Sequence, residues 1–243
     1  MTDRLSDLVH FYALLNSLDE KLVGKRTLAV CSGRMVWPTR GVYFFFEAGE
    51  KRSDSGHGPR IVRVGTHALT AKSRTTLWNR LSQHRGIEKT GGGNHRGSIF
   101  RLIVGSALKR QESLIDPLSW GIGSDIGQAA RRVGIDRTTL RNEEARLEVA
   151  VSEYIRAMPF LWLAIEDAPG SESFRGLIER NSIALLSNFR RDPLDPPSSS
   201  WLGHHSDRER VCRSGLWNNN HTEDIHDPKF LGIIKRLIEN LHA

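Results

Sequence analysis

One short run of residues constrains the fold of this chain more than any other. Gly41 is followed by Val42-Tyr43-Phe44-Phe45-Phe46, which is continuously apolar and aromatic. A strand with one face in water alternates apolar and polar residues, so this run predicts a central strand that is covered on both faces. A second apolar run begins at Ile61, after the polar, glycine-bearing loop 47–59. Two such runs joined by a polar loop predict a β-hairpin.

Patterns on either side of the hairpin predict further elements. Apolar residues at helical spacing predict an N-terminal amphipathic helix, a helix over 77–84 ended by Gly86, and a helix over 142–158. Third and fourth strands are expected at 98–104 and 160–165. Two more helices are expected, one from about Ser171 to Leu186 and one introduced by Asp227 and Pro228. No internal repeat is apparent, so 243 residues fit one compact domain with extensions.

Composition indicates which kind of partner the protein binds and in which cellular compartment it works. Lys plus Arg number 35 against 28 Asp plus Glu, a formal net charge of +7. This excess suits an anionic partner such as DNA or RNA, although many basic proteins bind no nucleic acid. The two cysteines have no zinc-like spacing and favour a reducing, cytosolic setting. The charged first residues and the absence of any apolar run near ~20 residues favour a cytoplasmic protein without a signal peptide or membrane span.

An arginine and a histidine fall on the apolar stripe of the helix over 77–84. Leu77, Arg80, Leu81 and His84 follow i, i+3, i+4 and i+7, so all four side chains share one face. In one interpretation Arg80 binds a phosphate and His84 transfers a proton or donates a hydrogen bond. In the other, both side chains lie at the rim of the helix and cover apolar surface with their stems.

A carboxylate and a tyrosine also stand at apolar positions. Glu179 shares a helical stripe with Ile183 and Leu186, and a carboxylate on an apolar face must find a cation or hydrogen-bond donors. Mg²⁺ is one such cation, and a nearby arginine is the other candidate. Tyr43, taken alone, fits an ordinary packed residue of a central strand.

The order of these residues resembles the GIY-YIG nuclease superfamily. Its pattern is two short strand motifs, a helix with an arginine and often a histidine one turn later, and a downstream metal-binding glutamate. Gly41-Val42-Tyr43 matches the first motif and Arg63-Val64-Gly65 the second, and Arg80, His84 and Glu179 follow in order. Each motif is short, so the specificity comes from their order and secondary-structure context.

The resemblance covers roughly residues 39–190 and implies the fold class and organisation. It implies an α+β fold, with a small antiparallel or mixed β-sheet flanked by helices. The chain then divides into an N-terminal helical lead at 1–38, a nuclease core at 39–192 with an insertion around 111–141, and a C-terminal extension at 193–243 that packs on the core.

The resemblance also implies a reaction and roles for the matching residues. It implies an endonuclease that hydrolyses phosphodiester bonds in DNA with one metal ion, Mg²⁺ or a substituting Mn²⁺. Tyr43 is then the base or the group that positions the water, Arg80 the phosphate clamp and Glu179 the metal ligand. His84 would assist as acid, base or phosphate ligand.

The second motif departs from the superfamily pattern. Arg63 stands where a tyrosine is expected, so a phenol is replaced by a permanent cation that carries no proton at neutral pH. This change either adds a phosphate contact or signals altered chemistry. Candidates for the supporting residues of the pattern are His67, Lys72 and Asn188, with Asn181 as the alternative to Asn188.

The segment 126–141 resembles a helix-turn-helix, with Gly134 at the turn and polar residues that open the second helix. The favoured interpretation is an insertion in the nuclease core. In the alternative it reads DNA, and a catalytically inactive DNA-binding or regulatory module becomes the rival function. Its arginines add to a basic surface in either case: Arg131, Arg132, Arg137 and Arg141.

Histidines near the C-terminus accompany Cys212 at a spacing that fits no compact zinc knuckle. They are therefore interpreted as ordinary polar loop residues. They are His204, His205, His221 and His226.

Overall fold

Helices surround a four-stranded antiparallel sheet in the computed structural model, which describes residues 3–111 and 117–241. This confirms the expected α+β fold class. None of the helices described is both long and apolar enough to cross a membrane. The strands are β1 (Arg26–Thr27), β2 (Gly41–Lys51), β3 (Pro59–Gly65) and β4 (Pro159–Ala164). The helices are α1 (Arg4–Lys21), α2 (Leu77–Arg85), α3 (Ile99–Gln111), α4 (Ile126–Val133), α5 (Arg137–Ala157), α6 (Phe174–Leu186), α7 (Glu209–Ser214) and α8 (Lys229–Glu239).

Strand β2 lies inside the sheet, where the order is β1-β4-β2-β3. Its residues 42, 44 and 46 pack into one apolar layer, and residues 43 and 45 pack into the layer on the opposite face. The first layer lies under α1, α6 and α8, and the second under α2, α3 and α5. Both faces of β2 are therefore covered, which explains the continuous apolar and aromatic run in its sequence.

The pairing between β2 and β3 determines where Arg63 points, and it includes one β-bulge. Phe45 pairs with Arg63 and Phe46 pairs with Ile61, which leaves Val62 as the extra residue. Arg63 lies on the sheet face that also carries Tyr43, because Arg63 pairs with Phe45 and Gly65 pairs with Tyr43 in regular register. The bulge turns Val62 to that same face. The register therefore brings the two motif strands together on one face.

The strand expected at 98–104 is wrong, because this segment belongs to α3. Phe100, Ile103, Val104 and Ala107 are fully buried on one side of the helix. A short apolar run fits a buried strand and a buried helix equally well, and here the 3.6-residue period applies. Strand β4 pairs with β2 on the side away from β3.

Other boundaries differ by a few residues from those predicted. Helix α5 begins at Arg137 instead of 142, because Asp136 accepts hydrogen bonds from the N–H groups of Thr138 and Thr139. Helix α6 begins at Phe174 after the capping residue Ser173. The segment before residue 39 contributes β1, which pairs with β4 and was not expected. Residues 1–2, 242–243 and part of the predicted insertion, 112–116, lie outside the described residues.

The outer edge of β3 is paired with the segment 201–221, called the C-terminal segment, instead of with another strand. The N–H of Trp217 donates to the carbonyl of Val62 at 2.7 Å. The side-chain amide of Asn218 accepts from the N–H of Val64 at 3.1 Å and donates to its carbonyl at 2.8 Å. The segment therefore satisfies backbone groups that an edge strand would leave unpaired.

Glu47 on β2 binds the same C-terminal segment through hydrogen bonds from two tryptophans. One carboxylate oxygen accepts from the indole N–H groups of Trp201 at 3.2 Å and Trp217 at 3.1 Å. The other accepts from the hydroxyl of Tyr154 on α5. Burial raises the pKa of Glu47, and these hydrogen bonds oppose that change. The carboxylate thus links β2, α5 and the C-terminal segment.

Gly65→Ala is expected to destabilise the fold. A Cβ at Gly65 would lie 2.4 Å from the hydroxyl oxygen of Tyr43, so the tyrosine ring would have to move. Overpacking of this kind costs about 1–3 kcal/mol in the free energy of unfolding, which urea denaturation measures. The control Gly232→Ala changes a glycine of α8 with no atom within 4 Å of the new Cβ. It should stabilise by about 0.5–1 kcal/mol, and equal stability of the two variants would contradict the argument.

Candidate active site

A cleft of about 410 Å³ lies at the C-terminal end of β3. Its walls come from β3, α2, α3, α6 and the C-terminal segment. Three of the residues predicted from the motifs border it, namely Arg63, Arg80 and Glu179. The other bordering residues are Thr66, Leu69, Ile99, Ile103, Ile183, Arg208, Asn218, Asn219, Asn220 and His221.

Arg63 is a buried cation at the inner wall of this cleft. Its side chain donates a hydrogen bond to the carbonyl of Trp217, and its guanidinium lies 4.6 Å from the ring centre of Phe100. Burial lowers the pKa of Arg63, while the nearby Tyr43 hydroxyl and Glu179 carboxylate oppose that change. The Nε–H has no hydrogen-bond partner among the described residues. An unpaired buried donor on a cation favours an incoming anion.

Glu179 is tied to both motif strands through Thr66. Its Oε1 accepts from the N–H of Thr66 at 3.1 Å, and the Thr66 hydroxyl donates to the carbonyl of Gly41 at 2.8 Å. Burial raises the pKa of Glu179, and Arg63 and His221 are the first of the neighbours that lower it. The carboxylate is therefore held against the end of the hairpin with opposite charges beside it.

Close contacts explain the glycine of each strand motif. A Cβ at Gly41 would lie 2.5 Å from the carbonyl oxygen of Leu163 on β4. A Cβ at Gly65 would collide with the ring of Tyr43, which stands directly opposite in the β2–β3 register. Both glycines are needed because another strand or a ring occupies the space of a side chain.

Tyr43 and His84 lie behind the cleft instead of on its surface. Both are fully buried. The Tyr43 hydroxyl and His84 Nε2 are 2.8 Å apart, and His84 Nδ1 is 2.8 Å from the Ser98 hydroxyl. Burial, together with the positive charges of Arg80 and Arg63, lowers the pKa of His84 well below its usual 6.5. The imidazole is therefore neutral at neutral pH, and it orients the phenol.

Arg80 stands at the outer wall of the cleft and is half-buried. Its guanidinium donates to the side chain of Gln83 at 2.9 Å and to the carbonyl of Gly97 at 3.3 Å. These two contacts leave donors of the planar guanidinium available to a phosphate. Arg80 and Arg63 thus approach the cleft from different elements.

The structure does not bring the predicted supporting residues to the cleft. Burial lowers the pKa of His67 to about 4, so its ring is neutral, while Lys72 is exposed. Asn188 accepts from Arg4 at 2.9 Å and so fixes the start of α1. Asn181 accepts a backbone N–H just before α8 at 2.7 Å. The two asparagines therefore connect segments of the chain away from Glu179.

Sequence reasoning missed the residues of the C-terminal segment. His221 was interpreted as an ordinary loop residue, but it borders the cleft and lies close enough to Glu179 to lower the pKa of that carboxyl. Its Nδ1 is 2.8 Å from the Asp224 carboxylate, and its backbone adopts a left-handed φ of 63°. Arg208 and Asn219 border the same cleft. The available signal was the run of three asparagines before His221, directly after a tryptophan.

The polar groups of the cleft suit one Mg²⁺ ion bound through few protein ligands. Among the residues that border it, Glu179 is the carboxylate. No group of three or more His, Cys, Asp or Glu that could hold a metal occurs in the described part of the chain. Mg²⁺ keeps several waters and often binds through one or two carboxylates plus phosphate oxygens. A single glutamate in a cleft that also has two arginines fits that preference.

Comparison with known families agrees with the motif order. The family model described as the GIY-YIG domain matches residues 2–243. Comparisons with curated proteins and with solved structures gave no match. The family match includes the N-terminal helix and the C-terminal segment, both outside the region in which the motifs fall. The chain therefore belongs to the GIY-YIG nuclease superfamily.

Proposed function

We propose that this chain is a metal-dependent endonuclease that hydrolyses phosphodiester bonds in DNA. The observation that carries the proposal is the cleft, in which Arg63 and Arg80 face Glu179. Two guanidinium groups can clamp the non-bridging oxygens of a phosphate, and a carboxylate can hold a divalent cation beside it. The net charge of +7 favours a polyanionic substrate.

Glu179 is the residue that would hold the metal, with water and a substrate oxygen as further ligands. When bound, Mg²⁺ would neutralise phosphate charge and lower the pKa of a coordinated water. Thr66 fixes the orientation of the carboxylate through its N–H. His221 lies beside Glu179 at the same cleft, where it can donate a hydrogen bond to a bound phosphate.

Tyr43 is proposed as the base or the group that positions the water, supported by His84. In hydrolysis the water oxygen forms a bond to phosphorus, the water gives up a proton, and the bond from phosphorus to the leaving oxygen breaks. A neutral His84 that donates from Nε2 would orient the Tyr43 oxygen as a hydrogen-bond acceptor for the attacking water, whose proton then passes to the leaving oxygen. Arg63 borders the cleft next to this hydroxyl, so its guanidinium can contact a phosphate that lies beside Tyr43.

A second candidate is a module that binds DNA through the same cleft without turnover. Two observations favour it: the hydroxyl of Tyr43 is fully buried, and Arg63 replaces the second motif's tyrosine. A plasmid-nicking assay with and without Mg²⁺ distinguishes the two functions. DNA binding by the wild-type chain without metal-dependent nicking would favour the binding module.

Glu179→Gln is expected to abolish most of the metal-dependent nicking. The amide keeps an oxygen for the Thr66 N–H but loses the charge that attracts a divalent cation. The rate should fall by about 100- to 1,000-fold, as for the loss of other groups that stabilise transition-state charge. The matched control is Glu172→Gln, which changes an exposed carboxylate just before α6. Equal rates for both variants would exclude Glu179 as the metal ligand.

Tyr43→Phe is expected to reduce nicking beyond its effect on stability. It leaves His84 Nε2 without its partner, so the free energy of unfolding should fall by about 1–3 kcal/mol. Tyr12→Phe is the control, because its buried hydroxyl accepts from the Ile61 N–H on the opposite face of the sheet. Both variants should lose similar stability in urea denaturation. If nicking by the two variants also falls equally, Tyr43 has only a structural role.

A further inference from the structure

Helices α4 and α5 form a compact pair joined by a short turn. Three residues, 134–136, separate the end of α4 from the start of α5. Gly134 adopts a left-handed φ of 79° at the turn, and Asp125 and Asp136 cap the two helices through their side chains. Two helices joined by a three- to four-residue turn that contains glycine are the basic unit of a helix-turn-helix.

This pair has a small apolar cluster of its own, which fixes α4 against α5. Ala129, Ala130 and Leu140 are buried in it. Three isoleucines pack around them: Ile122, Ile126 and Ile135. The cluster is separate from the two layers on either side of the sheet. The first turns of α5 are therefore held in place by α4 and leave their other side open.

The open side of α5 carries residues that can read base edges. Thr138, Arg141, Asn142 and Ala145 are all exposed and follow i, i+3, i+4 and i+7. Arginine pairs in bidentate fashion with guanine and asparagine with adenine, and a threonine methyl packs against thymine. Glu143 is also exposed, but each residue turns the helix by about 100°, so it faces away from this stripe.

Positive charge flanks the stripe on the preceding helix. Arg131 and Arg132, in the last turn of α4, are both exposed. In helix-turn-helix complexes the first helix crosses the DNA backbone while the N-terminal residues of the second enter the major groove. The α4 arginines therefore stand where phosphate contacts are made, and the α5 stripe stands where bases are read.

The second half of α5 connects this pair rigidly to the candidate active site. Leu147, Val151 and Ile155 are buried in the apolar layer that also contains Tyr43. Glu148 forms a buried ion pair with Arg101, whose guanidinium donates to the carbonyl of His84 at 2.9 Å. One continuous helix thus links the exposed stripe to α2, which carries the cleft residue Arg80 and His84.

We propose that α4 and α5 form a helix-turn-helix that reads duplex DNA in the major groove and places the cut at a fixed distance from the sequence read. The placement of the cut rests on the proposed endonuclease function, whereas the reading of duplex DNA does not. Arg137 precedes Glu148 by 11 residues, about 16 Å of helix. That length corresponds to about 5 base pairs of duplex, so the cut falls within about one helical turn of the site.

The test begins with selection of bound sequences from a random duplex library by the wild-type chain in EDTA. A short motif should be enriched. Arg141→Ala and Asn142→Ala should then weaken binding to a duplex with that motif by about 10- to 100-fold, as for the loss of a bidentate base contact. Binding to a scrambled duplex of the same length should change much less.

The control variant is Arg236→Ala, which removes an equal charge from an exposed position of α8 on the opposite face of the sheet. It should leave the preference for the selected motif intact. Because Arg141 and Asn142 are exposed and alanine favours helix, all three variants should melt like the wild type in circular dichroism. When the wild-type chain cleaves the selected duplex with Mg²⁺, the cut should lie at one fixed number of base pairs from the enriched motif.

Two results would overturn the helix-turn-helix proposal. One is a library without an enriched motif, and the other is an equal loss of affinity in Arg141→Ala and Arg236→Ala. If either result occurs and the same preparation still nicks DNA in a metal-dependent way, the helix-turn-helix proposal fails but the endonuclease proposal stands. An enriched motif with no cleavage at any metal concentration would support the reading element and overturn the endonuclease function.

Discussion

The cleft depends on how the outer edge of β3 is closed. The N–H of Trp217 and the side-chain amide of Asn218 pair with backbone groups of Val62 and Val64. Each such bond contributes about 1 kcal/mol net, but each buried group left without a partner costs about 1–3 kcal/mol. The same segment supplies the carbonyl that holds Arg63 and the polar wall opposite α2. Pairing of the C-terminal segment with β3 therefore both protects the edge of the sheet and completes the cleft.

Charge balance explains why these buried groups are arranged around an opening. Arg63 loses most of its hydration, and Glu179 is the carboxylate that faces it. An isolated buried charge is costly, so each group stabilises the other in the absence of ligand. A phosphodiester group would bring one negative charge to the cleft, and a divalent cation would bring two positive charges. Substrate and metal would therefore add partners for the arginines and for the glutamate without leaving either charge alone.

Local patterns in the sequence predict the parts of the molecule whose partners are close in the chain. The run 42–46 indicates a two-sided strand, and Gly41 and Gly65 mark contacts that the structure explains. The apolar run 98–104 fits both the strand period and the helix period, so the pattern alone does not distinguish a strand from the buried side of α3. Asn188, and its alternative Asn181, are candidate supporting residues of the family pattern, but both make contacts elsewhere. His221 reaches the cleft through pairing of segments far apart in sequence, and the asparagine run before it does not indicate which strand the segment pairs with.

The late position of the C-terminal segment has a consequence for synthesis of the chain. Arg63 and the carbonyl that accepts from it are 154 residues apart. At about 5–20 residues per second, a ribosome needs roughly 8 to 30 s to make the intervening chain. Until then the eight cleft residues that precede Arg208 have no C-terminal wall, and β3 has an open edge. The growing polypeptide therefore cannot complete this cleft until translation has passed His221, so no ligand that needs all of its walls can bind before that segment has been made.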